Sequence, residues 1–353
     1  MWIAPSPDGQ SSFSNISREI LNHMKEYTIL YLGQSYYGAP RQEQNYVLAP
    51  YFAGVHILHY MDIFHPDVIV FFQSLGYLEK LLTPSILEVI KGKAKICIYT
   101  PVEGYPMTWD IDPILSSADL ILVPSIYSQE CLRKHGFISQ TLQHGIDTSI
   151  FKPTQKPNGF IVGSITSDVW RKQLTRIIDA HKICLDKGFN FILKLITSTY
   201  DSATWQPRIK NYAKKINPNV IFNETAYLNL PRNPKAIARL YGNFNILAQP
   251  STEAFGLTCL EGMASGVVPI IVNHGGSPEV VNDCGIYVKV KDYLDLVIGK
   301  VALVDVEDLA KQIIWAYQHP QEIQRLALKG VERAKQFNWQ SITNKLENLL
   351  GAY

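Results

Sequence analysis

Short apolar runs alternate along the chain with longer stretches in which apolar residues recur every three or four positions. In the first part the runs fall at 2–4, 28–33, 67–73, 95–100, 119–125 and 140–144. In the second they fall at 160–166, 190–196, 219–223, 245–251, 268–273 and 286–290. They are unbroken runs, the pattern of strands covered on both faces. The amphipathic stretches between them predict helices, so each half reads as α/β with a doubly wound parallel sheet. The segment 151–160, with Pro153, Pro157 and Gly159, predicts a linker. Beyond Val290 the pattern reads as mostly helical. No internal repeat or low-complexity segment interrupts the scheme.

Composition adds to this picture in three places. With 353 residues, 46% hydrophobic and 18% charged, the chain has material for two large cores and is neither disordered nor a disulfide-stapled miniprotein. The net charge of +2 excludes a general nucleic-acid binder, but it is unevenly spread. Residues 1–150 hold nine Lys and Arg against fourteen Asp and Glu, net −5, and the remainder holds 24 against 17, net +7. An anionic small ligand is therefore expected mainly on the rear half. The cysteines, Cys97, Cys131, Cys184, Cys259 and Cys284, are odd in number, widely spaced and without a CxxC. They read as reduced thiols of a cytoplasmic protein. The opening residues do not resemble a secretory leader, and no apolar run is long enough for a membrane span.

The stretch 245–281 carries the clearest chemistry. A buried strand ends near Ala248, a polar loop runs from Gln249 to Glu253, and a helix is expected from Phe255–Gly256 to a left-handed cap at Gly266. Ligands of open α/β sheets sit at the carboxyl ends of the strands. The amides of Phe255, Gly256, Leu257 and Thr258 would form an anion site at the helix N-terminus, with Gly256 allowing close approach. Glu253 precedes the helix and Glu261 lies eight residues on, about two turns in. A phosphate flanked by two carboxylates that accept from hydroxyls describes a sugar nucleotide. The competing reading makes Glu253 a helix-stabilising charge and Glu261 a solvated one.

This stretch resembles the family 4 glycosyltransferases of the GT-B fold. The signature appears as Glu253-Ala-Phe-Gly-Leu-Thr-Cys-Leu-Glu261, then Gly266 to Pro269, then Gly275-Gly276-Ser277-Pro278-Glu279-Val280. The segments 143–153 and 162–183 resemble the family's domain junction and the first strand and helix of its donor domain. The resemblance implies that Arg171 and Lys172 hold the donor diphosphate. It also implies donor contacts from Gly163 and from Gly9, in the loop after the first strand. The common form has Arg straight after the strand glycine and Lys-Gly at the helix start, whereas here Ser164 follows Gly163 and Gln173 follows Lys172. Many members carry a histidine near 100–106; here Glu103 or Tyr105 would replace its contact with the reacting sugar. Asp110-Ile111-Asp112 imitates the DxD metal motif of the other glycosyltransferase fold, but Asp112 before Pro113 reads as a helix N-cap. Of the histidines, His144 and His274 fall at strand ends, and a satisfied loop role is expected for both.

The resemblance implies two Rossmann-like domains facing across a cleft. One is an acceptor domain, 1–152, onto which a helix at about 337–353 crosses back; the other is a nucleotide-sugar domain, 153–336. It implies a retaining, metal-independent hexosyltransferase that needs no cofactor beyond its nucleotide sugar. Glu253 would hold sugar hydroxyls, Glu261 the ribose, and the Arg–Lys pair the leaving diphosphate. A sugar-nucleotide epimerase and a catalytically silent sugar-nucleotide-binding module are the alternatives. The acceptor, whether glycan, lipid, protein or small molecule, is open, and the acidic front half predicts at most weak peripheral membrane contact.

Overall fold

Every apolar run named above becomes a parallel strand in the computed structural model, which describes all residues except 10, 52–53, 157, 199–207, 224–232 and 353. The segment 151–160, expected as a linker, is described except for position 157. The chain divides into two units. The first comprises Met1–Gly145, Leu296–Gly299 and Phe337–Tyr353; the second comprises Ile146–Asp295 and Lys300–Gln336.

In the first unit the strands are β1 (Trp2–Pro5), β2 (Leu30–Gln34), β3 (Arg41–Gln42), β4 (Val47–Tyr51), β5 (Val68–Phe72), β6 (Lys95–Tyr99), β7 (Leu120–Val123) and β8 (Gln140–Thr141). Their spatial order is β3-β4-β2-β1-β5-β6-β7-β8, parallel except for β3 against β4. Ile3, Leu32, Phe71, Ile96 and Ile98 are fully buried on this sheet, which explains the unbroken apolar runs. The Ser12–His23 helix begins where Ser11 Oγ accepts from Ser14 N at 3.1 Å. It packs against the C-terminal helix Trp339–Gly351. Pattern reading missed β3 and β4: β3 is two exposed residues, and Pro50 interrupts the run in β4.

The second unit contains β9 (Ile161–Ile165), β10 (Ile192–Ile196), β11 (Ile221–Phe222), β12 (Ile246–Ala248), β13 (Val268–Val272) and β14 (Ile286–Val288), in the order β11-β10-β9-β12-β13-β14. The order turns about β9: β10 and β11 lie on one side and β12 to β14 on the other. The crevice outside the carboxyl ends of β9 and β12 is therefore the switch point where a doubly wound sheet receives a ligand.

The stretch after Val290 is not purely helical. Val290–Leu296 (β15) and Gly299–Val304 (β16) pair as a two-stranded sheet joined by Val297 and Ile298, before the helices Val306–Gln318 and Pro320–Ala334. The hairpin escaped the pattern because β15, VKDYLDL, is largely exposed and charged. Its turn, Leu296–Gly299, belongs to the first unit, where Thr108 N donates to Val297 O at 3.1 Å.

Candidate active site

Two connections of the second unit meet at its switch point. After β9 the chain passes through Asp168 into a 3-10 turn, Trp170–Lys172, and then the helix Leu174–Asp186. After β12 it runs through Gln249–Glu253 into the helix Leu257–Ala264. Lys172 and Glu253 are joined by an ion pair in which Lys172 Nζ donates to Glu253 Oε1. The pair is well covered, with the two side chains 12% and 16% exposed. Arg171 NH1 lies 3.9 Å from Glu253 Oε2. Ser251 Oγ donates to Glu253 Oε1 at 2.5 Å, and Gln249 Nε2 approaches the same oxygen at 3.3 Å. Burial alone would raise the Glu253 carboxyl. The charges of Lys172 and Arg171, together with bonds from Lys172 and Ser251, outweigh it and hold the group at about 2.

Gly256 is the N-cap of the Leu257–Ala264 helix and sits at φ +100°, a left-handed conformation that a side chain would strain. Leu257 and Thr258 therefore form the first turn, whose N–H groups have no partner within the helix. Gly276 passes against the loop from the other side: a Cβ on it would lie 2.1 Å from Ala254 O, and its own N–H donates to Glu253 O at 2.6 Å. The Gly-Gly signature is thus a packing requirement of the carboxylate loop.

Glu261 falls in the second turn of this helix, which begins slightly later than the sequence suggested. Tyr241 OH, from the helix Pro234–Gly242, donates to Glu261 Oε2 at 2.8 Å. Burial prevails over that bond and pushes the carboxyl up to about 7.

The structure thus brings together Glu253, Lys172 and Arg171, with Phe255, Gly256, Leu257 and Thr258 leading directly into the helix that bears Glu261. Gly163 is the middle residue of β9, and a Cβ there would overlap the Phe244 ring at 2.3 Å, so packing inside the sheet requires a glycine at this position. Gly9 and Glu103 belong to the first unit. Gly9 N–H closes a turn onto Ser6 O at 2.8 Å, and a Cβ would meet Ser6 O and Ser14 Oγ. Glu103 lies after β6, where its carbonyl accepts from Tyr127 OH at 3.3 Å.

The N-cap expected at Asp112 is instead Ile111; Asp112 lies inside the first turn of the helix Asp112–Leu115 and pairs with His135 Nε2 at 2.9 Å. His144 is buried edge-on to Phe72 and Tyr99, and His274 packs against Tyr293. Among the described residues no group of three or more His, Cys, Asp and Glu is arranged to hold a metal ion. No described helix is long and apolar enough to cross a membrane. Sequence reasoning missed Tyr241, Ser251, Gln249 and Gln173. Gln249 and Ser251 left a signal as polar residues at the end of a buried strand, and Gln173 left one as the residue after Lys172 where the resembled pattern has glycine.

Solved structures show the same fold. A sucrose-phosphate synthase from Thermosynechococcus elongatus superposes with a TM-score of 0.80 at 16% identity, covering 99% of this chain and 98% of that one. HepE of Anabaena, solved in complex with UDP-glucose, gives 0.72 at 14% identity, covering 100% and 99%. The chain accordingly has the GT-B fold, α/β with two Rossmann-like domains. In sequence, a D-inositol 3-phosphate glycosyltransferase from Corynebacterium diphtheriae is 30% identical over 129 residues, 34% of this chain and 26% of the relative, so the match spans about a quarter of that protein. The family model of glycosyl transferases group 1 matches residues 146–333, more than half of the chain and nearly all of the second unit with its Lys172–Glu253 pair. By that match the chain belongs to the group 1 glycosyl transferases.

Proposed function

We propose that the protein is a retaining glycosyltransferase that moves a sugar from a nucleotide-sugar donor to an acceptor hydroxyl and needs no metal ion for the transfer. The observation that carries this is the Lys172–Glu253 pair at the switch point, with Arg171 beside it and Glu261 one turn into the following helix. Breaking a glycosyl phosphate bond places negative charge on the departing diphosphate and positive charge on the anomeric carbon. Stabilising that diphosphate is the main catalytic task. Lys172, Arg171 and the amides of Leu257 and Thr258 are the positive groups available to it. Held at about 2, Glu253 is a full carboxylate at neutral pH. It is suited to accept from sugar hydroxyls and to fix the anomeric carbon against the diphosphate. Glu261 would accept from the ribose hydroxyls. Attack by the acceptor hydroxyl on the face the diphosphate leaves would retain the anomeric configuration, and the leaving phosphate would take the proton. UDP-glucose in HepE, a protein of the same fold, supports a nucleotide-sugar donor here.

Incubation with UDP-, GDP- and ADP-sugars plus a panel of hydroxyl acceptors, followed by NMR of the product's anomeric proton, tests the proposal. Transfer with retained configuration is expected. Release of free sugar whatever the acceptor favours the epimerase alternative. Donor binding with no turnover favours the binding module.

A further inference from the structure

Gln173 stands where the pattern that the sequence resembles has the glycine of Lys-Gly, and the backbone at this position is one that favours glycine. Gln173 sits at φ +57°, ψ +32°, in the left-handed region, at the joint between the 3-10 turn and the Leu174–Asp186 helix. A side chain at this position is strained, yet this one is buried, 3% exposed. It makes three hydrogen bonds. Gln173 Nε2 donates to Pro250 O at 2.8 Å and to Ala302 O at 2.9 Å, and Gln173 Oε1 accepts from Val304 N at 2.9 Å. Two carbonyl partners for the nitrogen and one amide partner for the oxygen leave the orientation of the side chain unambiguous. Together the bonds join three pieces of the site. Pro250 belongs to the loop that carries Ser251 and Glu253, Ala302 and Val304 belong to β16, and Gln173 itself follows Lys172. A fourth tie runs from Ala302 N to Thr252 Oγ1 at 2.9 Å.

Resting on the donor-site reading above, we propose that Gln173 is a positioning residue that holds the Glu253 loop, the Lys172 turn and strand β16 in one arrangement, so that the Lys172–Glu253 pair is set before the donor arrives. A glycine would relieve the backbone but remove all three side-chain bonds, leaving the loop and β16 tied through Thr252 and Ala302. In this chain the strain is offset by the clamp.

Gln173→Ala and Gln173→Gly separate the clamp from the strain. Both remove the three bonds, but only the glycine relaxes the backbone. We expect both variants to lose about tenfold in affinity for UDP, GDP or ADP, whichever the wild type prefers, since small misplacements at a site have effects of that order. We expect the glycine variant to melt about 2–4 °C above the alanine one. Exchange of the Val304 amide hydrogen should accelerate in both, because its acceptor is gone. KM for the donor should rise while KM for the acceptor stays within about twofold. A merely structural role predicts the opposite for the glycine: affinity recovering along with melting temperature. Wild-type affinity in either variant overturns the positioning role alone. A thermally intact wild type that binds none of the three nucleotides overturns the donor-site reading itself.

Discussion

Glu253 and Glu261 lie eight residues apart, one just before the Leu257–Ala264 helix and one inside it, and their surroundings drive them in opposite directions. Burial pushes both carboxyls up. At Glu253 two cations reverse the push and hold the group at about 2; at Glu261 the hydrogen-bond donor is the neutral phenol of Tyr241, and burial holds the group at about 7. The difference lies in what the fold brings to each position. The β9 connection delivers Lys172 and Arg171 to the loop, while the helix Pro234–Gly242 delivers Tyr241 to the helix side. A permanent charge suits a group that faces a developing positive centre. A group near neutrality can hold a ligand's hydroxyls in a way that depends on pH.

The largest effect is expected from Glu253→Gln, which keeps the shape and removes the charge. Activity should fall on the order of 10²–10³-fold, the scale of losing a preorganised electrostatic group, and Lys172 is left without its carboxylate. Initial rates at saturating donor measure it. A loss under tenfold would erase the distinction between the two glutamates. Glu261→Ala should weaken nucleotide binding by roughly 1–3 kcal/mol, read by calorimetric titration with the preferred nucleoside diphosphate. Unchanged affinity would make Glu261 a helix residue with no ligand.

A titration of binding against pH sharpens the contrast further. If ribose hydroxyls donate to the ionised form of Glu261, affinity should rise by up to about tenfold from pH 6 to pH 8, and Glu261→Gln should flatten that rise. Stability carries the opposite sign. The folded chain keeps the Glu261 proton up to about pH 7, whereas an unfolded glutamate loses it near 4.5. Folding stability from this group is therefore greatest below about 4.5 and declines as pH rises toward 7. Glu253 contributes stability above about 4.5 and loses it as pH falls toward 2. Melting temperatures of wild type and Glu261→Gln from pH 5 to 8 should diverge, with the variant gaining as pH rises. The smallest expected effect is that of a chelator. If Lys172 and Arg171 neutralise the diphosphate as proposed, EDTA should leave transfer within about twofold. Complete loss restored by added magnesium or manganese would assign the neutralising charge to a metal instead.

The parts of this site that were legible in the sequence are those that leave a local trace. Strands β9 and β12 are unbroken apolar runs because both faces are covered. Glu253, Phe255, Gly256 and Glu261 lie on one continuous stretch, and the helix start near Gly256 follows from it. Lys172 was associated with them by the resemblance, and it lies beside Glu253 because both connections leave the carboxyl end of the same sheet. Tyr241 could not: nothing in its own helix marks the face that meets Glu261, and only the packing of two helices brings them together. Gln173 hid for a different reason, since a left-handed backbone carrying a buried amide contradicts what its residue type favours. Gly163 was marked by the resemblance alone, and the sequence does not show that the ring of Phe244 lies where its Cβ would be. The β15–β16 hairpin was lost because its exposed face carries charges that imitate a polar helix.

The margins of the two sheets have a consequence for how the molecule behaves in a crowded solution. Among the described residues, the eight-stranded sheet ends in β3 and β8, each two residues long, and the six-stranded one in β11, two residues, and β14, three. A long bare margin offers a ladder of unpaired N–H and C=O groups on which another chain can polymerise. Margins this short offer one or two rungs, and β3 runs against its neighbour, so a parallel stack cannot simply continue through it. Two wide parallel sheets, rich in the apolar runs that favour aggregation when exposed, are thereby kept from growing past their own borders.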